Sequence, residues 1–354
     1  MTASTASAPA RYPSLDGLRA ISIALVLFGH AVGTQGFPLH QMHARLGEMG
    51  VRVFFVISGF LITSLLLAEQ QRHGGISLAK FYYRRALRIF PAFYVMVAVI
   101  AGLAAYGTIE LKHNDLLAAV TYTTNYHPDR AYNLNHLWSL AVEEQFYLLW
   151  PAVVAFAGRR RGVFIAATFA LAVPVMREAT VRGFLPGEEL LGGSFHTVAD
   201  SIAVGCVLAG LRSKLETSAR YMHLLASPVI ALGLVAVVLG STMTERWPAI
   251  DMLVLPVSNV AIALLIHWSL THHTSLVGRM LNAAPVAYVG TLSYSLYLWQ
   301  QLFLNPHSTA TYCRFPLNIV LAIAAGVASY YVVERPLLRL RERWEPRLFS
   351  APTK

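Results

Sequence analysis

Apolar runs of roughly 17 to 21 residues recur along the whole chain, the length an α-helix needs to cross about 30 Å of hydrocarbon. Inside hydrocarbon every backbone N–H and C=O must be satisfied within the segment, so runs of this kind are expected to fold as transmembrane helices. Ten read as spans, at approximately 18–34, 51–68, 89–107, 138–157, 162–176, 197–211, 223–242, 251–270, 284–303 and 316–333. Composition leaves little room for another fold. Of 354 residues, 56% are hydrophobic and 13% charged, about half the charged share of an ordinary soluble domain. The expectation is an all-α polytopic transmembrane helix bundle of about ten spans. A short polar tail (1–17) precedes the transmembrane domain (18–340), and a basic tail (341–354) follows it. The Ala-Pro-Ala stretch precedes the first apolar run, the reverse of the order in a cleaved signal peptide.

The net charge of +10 would suit a nucleic-acid binder, but its distribution speaks for a membrane. The basic residues sit in short clusters between the apolar runs. With ten spans, twenty of the 28 lysines and arginines fall on the side of the termini. Arg45, Arg52, Lys112, Arg130, Arg177, Arg182, Arg246 and Arg314 face the other way. The positive-inside rule then makes both termini cytoplasmic. Cys206 and Cys313 form no disulfide framework, and no His or Cys spacing suggests a metal site. No internal repeat is evident, which weighs against a transporter built on inverted repeats. The long outside loop, about 108–137, is expected to be a lid or an acceptor-recognition segment.

Several polar residues lie where a membrane makes them expensive. Arg19 and His30 share the first span. Eleven residues put them ~16 Å apart along a helix and only about 20° off one face. Arg19 alone would pass for a snorkelling anchor, but the shared stripe points to a shared cavity. In HLWSLAVEEQFYLLWP, Glu143 and Glu144 lie about 100° apart around a helix, so one is expected to face inward and the other the interface. His136 and Ser139 belong to the same segment. Arg85 and Arg88, an i, i+3 pair preceded by Arg84, anchor the chain at the inner face. They would also suit an anionic cytosolic ligand such as a phosphate-bearing cofactor. Ser58 and Gly59 read as close-packing small residues, and Tyr297 and Trp299 as an interfacial aromatic belt. Asp200 is either functional or interfacial.

Six ordered blocks, YPSLDGLRAISIALVLFGHA, FFVISGFLITSLLL, FYYRRALRIFP, HLWSLAVEEQFYLLWP, GTLSYSLYLWQ and VVERPLLRL, resemble the acyltransferase 3 family of bacterial membrane O-acyltransferases. The resemblance covers roughly residues 12–340. It implies a protein of the bacterial cytoplasmic membrane that moves an acyl group, often acetyl, from cytosolic acyl-CoA to a hydroxyl of a glycan or glycosylated metabolite. Acyl-CoA would be a co-substrate, with no permanently bound cofactor and no metal. The family's Arg–ten residues–His motif falls on Arg19 and His30, its Arg-x-x-Arg motif on Arg85 and Arg88, and its acidic residue on Glu143. The segment TVADSIAVG departs from the family's Arg-x-Asp-Ala block, since Thr197 or Val198 stands where a basic residue is often found. Some members add an extracytoplasmic SGNH-type hydrolase-like domain; this chain is expected to be the membrane domain alone.

On that resemblance His30 is the general base for the attacking hydroxyl, or alternatively a transient acyl acceptor. Glu143 would orient it, as the third member of a triad does. Arg19, Arg85 and Arg88 would hold CoA phosphates, with His136, Ser139, Tyr294, Tyr297 and Asp200 as supporting residues. The partners implied are acyl-CoA, the glycan acceptor and the lipid bilayer, with no nucleic acid. The alternative from another class is a transporter or flippase that uses Arg19 and His30 as a polar pathway. Acceptor, acyl chain and oligomeric state stay open.

Overall fold

A computed structural model describes residues 12, 14–39, 45–187, 193–246 and 248–349. The outer parts of both expected tails, 1–11 with Arg11 and 350–354 with Lys354, lie outside the described residues. Among the described residues all regular structure is helical. The main helices are α1 (Leu15–Ala31), α2 (Leu46–His73), α3 (Leu78–Ala105), α4 (Leu137–Val181), α5 (Asp200–Glu216) and α6 (Ala219–Ala226). They continue with α7 (Pro228–Gly240), α8 (Pro248–Thr271), α9 (Ala284–Phe303), α10 (Leu317–Ser329) and α11 (Arg335–Phe349).

Among the described residues, five helical stretches are long and apolar enough to cross a membrane: Leu46–His73, Leu78–Ala105, Tyr132–Val181, Met252–Thr271 and Leu317–Phe349. The pair Ala219–Ala226 and Pro228–Met243, bent by 70°, makes a sixth if it is taken as one span. Large apolar side chains cover the outside of the bundle; Phe156 is 83% exposed and Leu171 76%. Water would penalise such a surface and lipid tails do not. The chain is a multi-pass membrane protein.

The expected segments 138–157 and 162–176 both lie in α4, which breaks at Gly158 (φ 71°, ψ 176°). Only glycine holds that backbone conformation without strain. Just past the break, Arg159 Nε donates to the Gly210 carbonyl at 2.9 Å, tying the bend to α5.

Helix α2 is common to two hydrophobic cores. Phe55, Ile62 and Leu66 pack with α3, α4 and α9, while Val56, Ile57 and Phe60 pack with α1, α5 and α8. The α2–α5 crossing is close enough to exclude side chains. A β-carbon on Gly59 would fall on the Ile202 carbonyl, and one on Gly205 on the Val56 carbonyl. Small residues give membrane helices this kind of van der Waals contact.

The bundle has two unlike ends. At the basic end, the start of α3 meets α11, a charged continuation beyond the apolar run of α10. Here Arg84 pairs with Glu345, and Lys80 lies 3.6 Å from the same carboxylate. At the loop end, the last turns of α1 and α9 meet the start of α4 and the segment 108–135. There Phe315 N–H donates to Gln35 O at 2.9 Å, and Asn305 Nδ2 donates to Asn133 Oδ1 at 3.0 Å.

Candidate active site

His30 sits in the last turn of α1, where it faces Gln301 on α9. Gln301 Nε2 lies 3.1 Å from His30 Nε2. On its other side, Gln301 Oε1 accepts from the backbone N–H of His136 at 2.9 Å and lies 2.9 Å from His136 Nδ1. A backbone N–H can only donate, so it fixes the orientation of the Gln301 amide. The amide N–H then points at His30 Nε2, which must be the accepting nitrogen. Neutral His30 therefore carries its proton on Nδ1. That atom is buried without a hydrogen-bond partner, as are both polar atoms of the Gln300 side chain.

His136 caps the start of α4 and is buried. Its Nε2 lies 3.0 Å from Leu298 O, so both ring nitrogens are engaged by α9 and neither is free to serve a substrate. Tyr297 donates to His136 O at 3.1 Å and contacts Ser139 Oγ at 2.5 Å. These bonds fasten α9 to the first turn of α4. Tyr297 is buried and belongs to no interfacial belt, contrary to the expectation from its sequence position.

Glu143 lies two turns further along α4, ~10 Å down the axis from His136. Its partner is Ser58 on α2, whose hydroxyl donates at 2.6 Å. The expected pairing of Glu143 with His30 is absent because the two residues sit at different levels of the bundle. Ser58, expected only to allow close packing, holds this carboxylate. Glu144, expected to leave one of the two acids at the interface, instead faces Arg85 at 3.5 Å. The Arg85 guanidinium also lies 3.3 Å over the ring of Tyr147, a strong cation–π geometry.

Toward the basic end, Arg88 lies in the combined field of Arg19, Arg85 and Arg341, with Glu334 the nearest counter-charge. Arg19 contacts Asp16 at 3.3 Å, and Glu334 accepts from Ser295. Arg85 Nε, Arg341 Nε and the Tyr83 hydroxyl are buried without hydrogen-bond partners. Buried unpaired donors are costly, and a cluster of them among arginines fits a phosphate-bearing ligand. Beyond these arginines Arg84, with Lys80, holds the Glu345 carboxyl below the usual carboxylate range. Tyr294 donates to Ile89 O at 2.9 Å, tying α9 to α3 beside the arginines.

Asp200 is set apart. It accepts from Arg177 Nη2 and Asn259 Nδ2, both at 3.0 Å, and Arg177 Nε donates to Thr197 O at 2.7 Å. The basic partner absent from positions 197 and 198 thus arrives from α4, and the group locks α4, α5 and α8 together. Reading the sequence missed Gln301, Arg341, Arg177 and the role of Ser58. Gln300 and Gln301 did carry a signal, being adjacent amides within an apolar run. Arg341 was concealed in a basic tail that topology alone explains.

The acyltransferase domain family (Acyl_transf_3) matches residues 12–335. The O-acetyltransferase OatA of Staphylococcus aureus is 28% identical over 369 residues, covering 93% of this chain and 57% of the relative. The peptidoglycan O-acetyltransferase OatA of Listeria monocytogenes is 26% identical over 351 residues, covering 91% and 54%. The chain therefore spans a little over half the length of these curated relatives. No solved structure matches it. The resemblance carried by the six sequence blocks holds over nearly the whole described chain, which belongs to the acyltransferase domain family.

Proposed function

We propose that the protein is an integral-membrane O-acyltransferase that moves an acyl group, acetyl in the first instance, from acyl-CoA to a hydroxyl of a glycan. It would lie in the bacterial cytoplasmic membrane with ten spans and both termini cytoplasmic, so that the basic end meets the cytosolic donor. One observation carries the reading. Ionisable and amide side chains run from Arg88 and Arg85 past Glu143 to His136, Gln301 and His30, through a bundle interior where such groups are expensive. Family membership and the O-acetyltransferase relatives support the same reading.

In this mechanism Arg19, Arg85, Arg88 and Arg341 take the CoA phosphates, and the pantetheine arm carries the thioester toward His30. Glu143, held by Ser58, keeps Arg85 aligned from the bundle side. An alcohol is a weak nucleophile at neutral pH and needs a base as it attacks. The acceptor hydroxyl replaces the Gln301 amide on His30 Nε2, and its proton passes to that nitrogen as its oxygen bonds to the thioester carbon. The C–S bond breaks, and the departing CoA sulfur takes the proton back from His30. The products are the ester and free CoA, with His30 neutral again. The Gln300 amide, next to Gln301 on α9, is the donor available to the developing oxyanion.

The test uses the protein in lipid nanodiscs with radiolabelled acetyl-CoA and a cell-wall glycan acceptor. The parent should label the glycan and release CoA, and His30→Ala should do neither at matched protein level. Retained transfer by His30→Ala removes the base assignment. Label left on the protein in the absence of acceptor would make His30 an acyl carrier instead. Passage of glycan across the bilayer without use of acetyl-CoA would point to transport.

A further inference from the structure

At the loop end a cavity of about 650 Å³ lies between the segment 108–135 and residues 302–313. Its volume falls within the roughly 300–1,000 Å³ of small-molecule sites. One wall carries Arg130, Asn133 and Asn135, and the other Asn305, His307 and Tyr312.

These walls are built rather than loosely draped. Buried Asp115 accepts from Lys112 N–H at 2.7 Å and from Ala131 N–H at 3.2 Å, and its other oxygen lies 3.1 Å from His127 Nε2. Arg130 is fixed through Nε to Asn135 Oδ1 at 2.6 Å and through Nη1 to His127 O at 2.9 Å. The two walls are joined by the Asn305–Asn133 bond at 3.0 Å. Tyr132 meets the ring of His307 edge to face, 5.3 Å between centroids.

The position of the cavity is as informative as its shape. Asn135 directly precedes His136, and the lining residue Leu302 directly follows Gln301. The cavity thus opens beside the pair that holds His30 Nε2. Its lining does not suit CoA phosphates, because Lys112 is paired with Asp129 and Arg130 is tied down on two sides. Asn305 commits its Nδ2 to Asn133 and its Oδ1 to the His307 N–H. That leaves the Nδ2 groups of Asn133 and Asn135, two phenols and an imidazole to meet uncharged hydroxyl and amide groups.

We propose that this cavity is the acceptor site, and that it takes a neutral, N-acetylated amino-sugar segment of a glycan. The Nδ2 groups of Asn133 and Asn135 match its acetamido and hydroxyl oxygens, and Tyr132 and Tyr312 offer ring faces and hydroxyls to the sugar. The assignment rests on the O-acyltransferase reading above, with lining residues next in the chain to His136 and Gln301.

The probe is the β-linked disaccharide of N-acetylglucosamine, offered to the full chain in nanodiscs. Binding is followed by saturation-transfer NMR and transfer by acetyl-CoA consumption. Tyr312→Ala and His307→Ala, on the accessible wall, should each raise KM for the disaccharide about tenfold, the value of one good hydrogen bond. Leu302→Trp, which fills the floor, should abolish disaccharide binding. None of the three should change acetyl-CoA affinity. Transfer with an unchanged KM in all three variants overturns the cavity and leaves the enzymatic reading intact. Disaccharide binding that is lost in the variants but never leads to acetylation supports the cavity and defeats the enzymatic reading. Failure of the parent to bind the disaccharide overturns the amino-sugar assignment.

Discussion

Exchange of Gln301 for glutamate probes the proton bookkeeping of the site with almost no change of shape. In the parent, Gln301 Oε1 satisfies the N–H of His136 and its Nδ1, while the amide N–H caps His30 Nε2. Gln301→Glu keeps an oxygen for His136 but sets a second oxygen against His30 Nε2. A proton must then lie between carboxylate and imidazole. Whichever group holds it, the Nε2 lone pair is lost to the acceptor hydroxyl. General-base catalysis contributes about 10²–10⁴-fold, so transfer should fall by at least about a hundredfold, close to the level of His30→Ala. The double variant should fall no further, since groups that act as a unit are not additive. Gln301→Leu separates this effect from folding. It leaves the buried N–H of His136 and its ring partner unpaired, at about 1–3 kcal/mol each, so its thermal unfolding temperature should drop while that of Gln301→Glu stays near the parent's. Acetyl-CoA turnover and a thiol-reactive unfolding assay on the same nanodisc samples supply both quantities. A Gln301→Glu protein with parental turnover would refute the assignment of Nε2 as the accepting atom.

Arg88→Ala and Arg341→Ala should each weaken acetyl-CoA binding roughly ten- to hundredfold, the worth of one charge-assisted hydrogen bond to phosphate. Calorimetry should find the parent's affinity falling with added salt and the variants' falling less steeply. Gly59→Leu should prevent close approach of α2 and α5, because its side chain would overlap the Ile202 carbonyl; loss of monodisperse protein in detergent would show it. Glu345, held below the usual carboxylate range by Arg84, contributes to docking of α11 only while ionised. Its contribution is fully present above the unfolded value of about 4.3 and is lost as pH falls through the lower folded value. Amide exchange in 335–349 should therefore accelerate only in acid, and Glu345→Gln should show the fast exchange already at neutral pH.

The helical class was legible because hydrocarbon allows an isolated apolar run few alternatives. Helix occupies each of the ten expected segments at least in part, and the gap between the expected segments 138–157 and 162–176 corresponds to the break at Gly158. What sequence could not supply was depth. Arg19 and His30 share a stripe on one helix, and that relation is fixed by helical geometry alone. Glu143 and His30 lie on different helices, and their relative level depends on how α1, α4 and α9 are offset. The offset puts Gln301 beside His30 and Glu143 beside Ser58 and Arg85. Asp200 shows the same limit from the other side. The cation expected at 197 or 198 comes instead from Arg177, twenty residues earlier in the chain, a substitution in space that no local motif can reveal.

The 70° bend before α7 has a consequence for the surrounding lipid. Pro228–Gly240 contains 13 residues, only ~20 Å of helix against about 30 Å of hydrocarbon. A bilayer meeting this flank has to thin locally or draw its headgroups inward, at a cost of fractions of a kcal/mol per Å of mismatch. Acyl-chain length in the host membrane thereby becomes a physical variable of the protein. Thin bilayers would fit its rim, and thick ones would press on α7 and on α8, against which it packs.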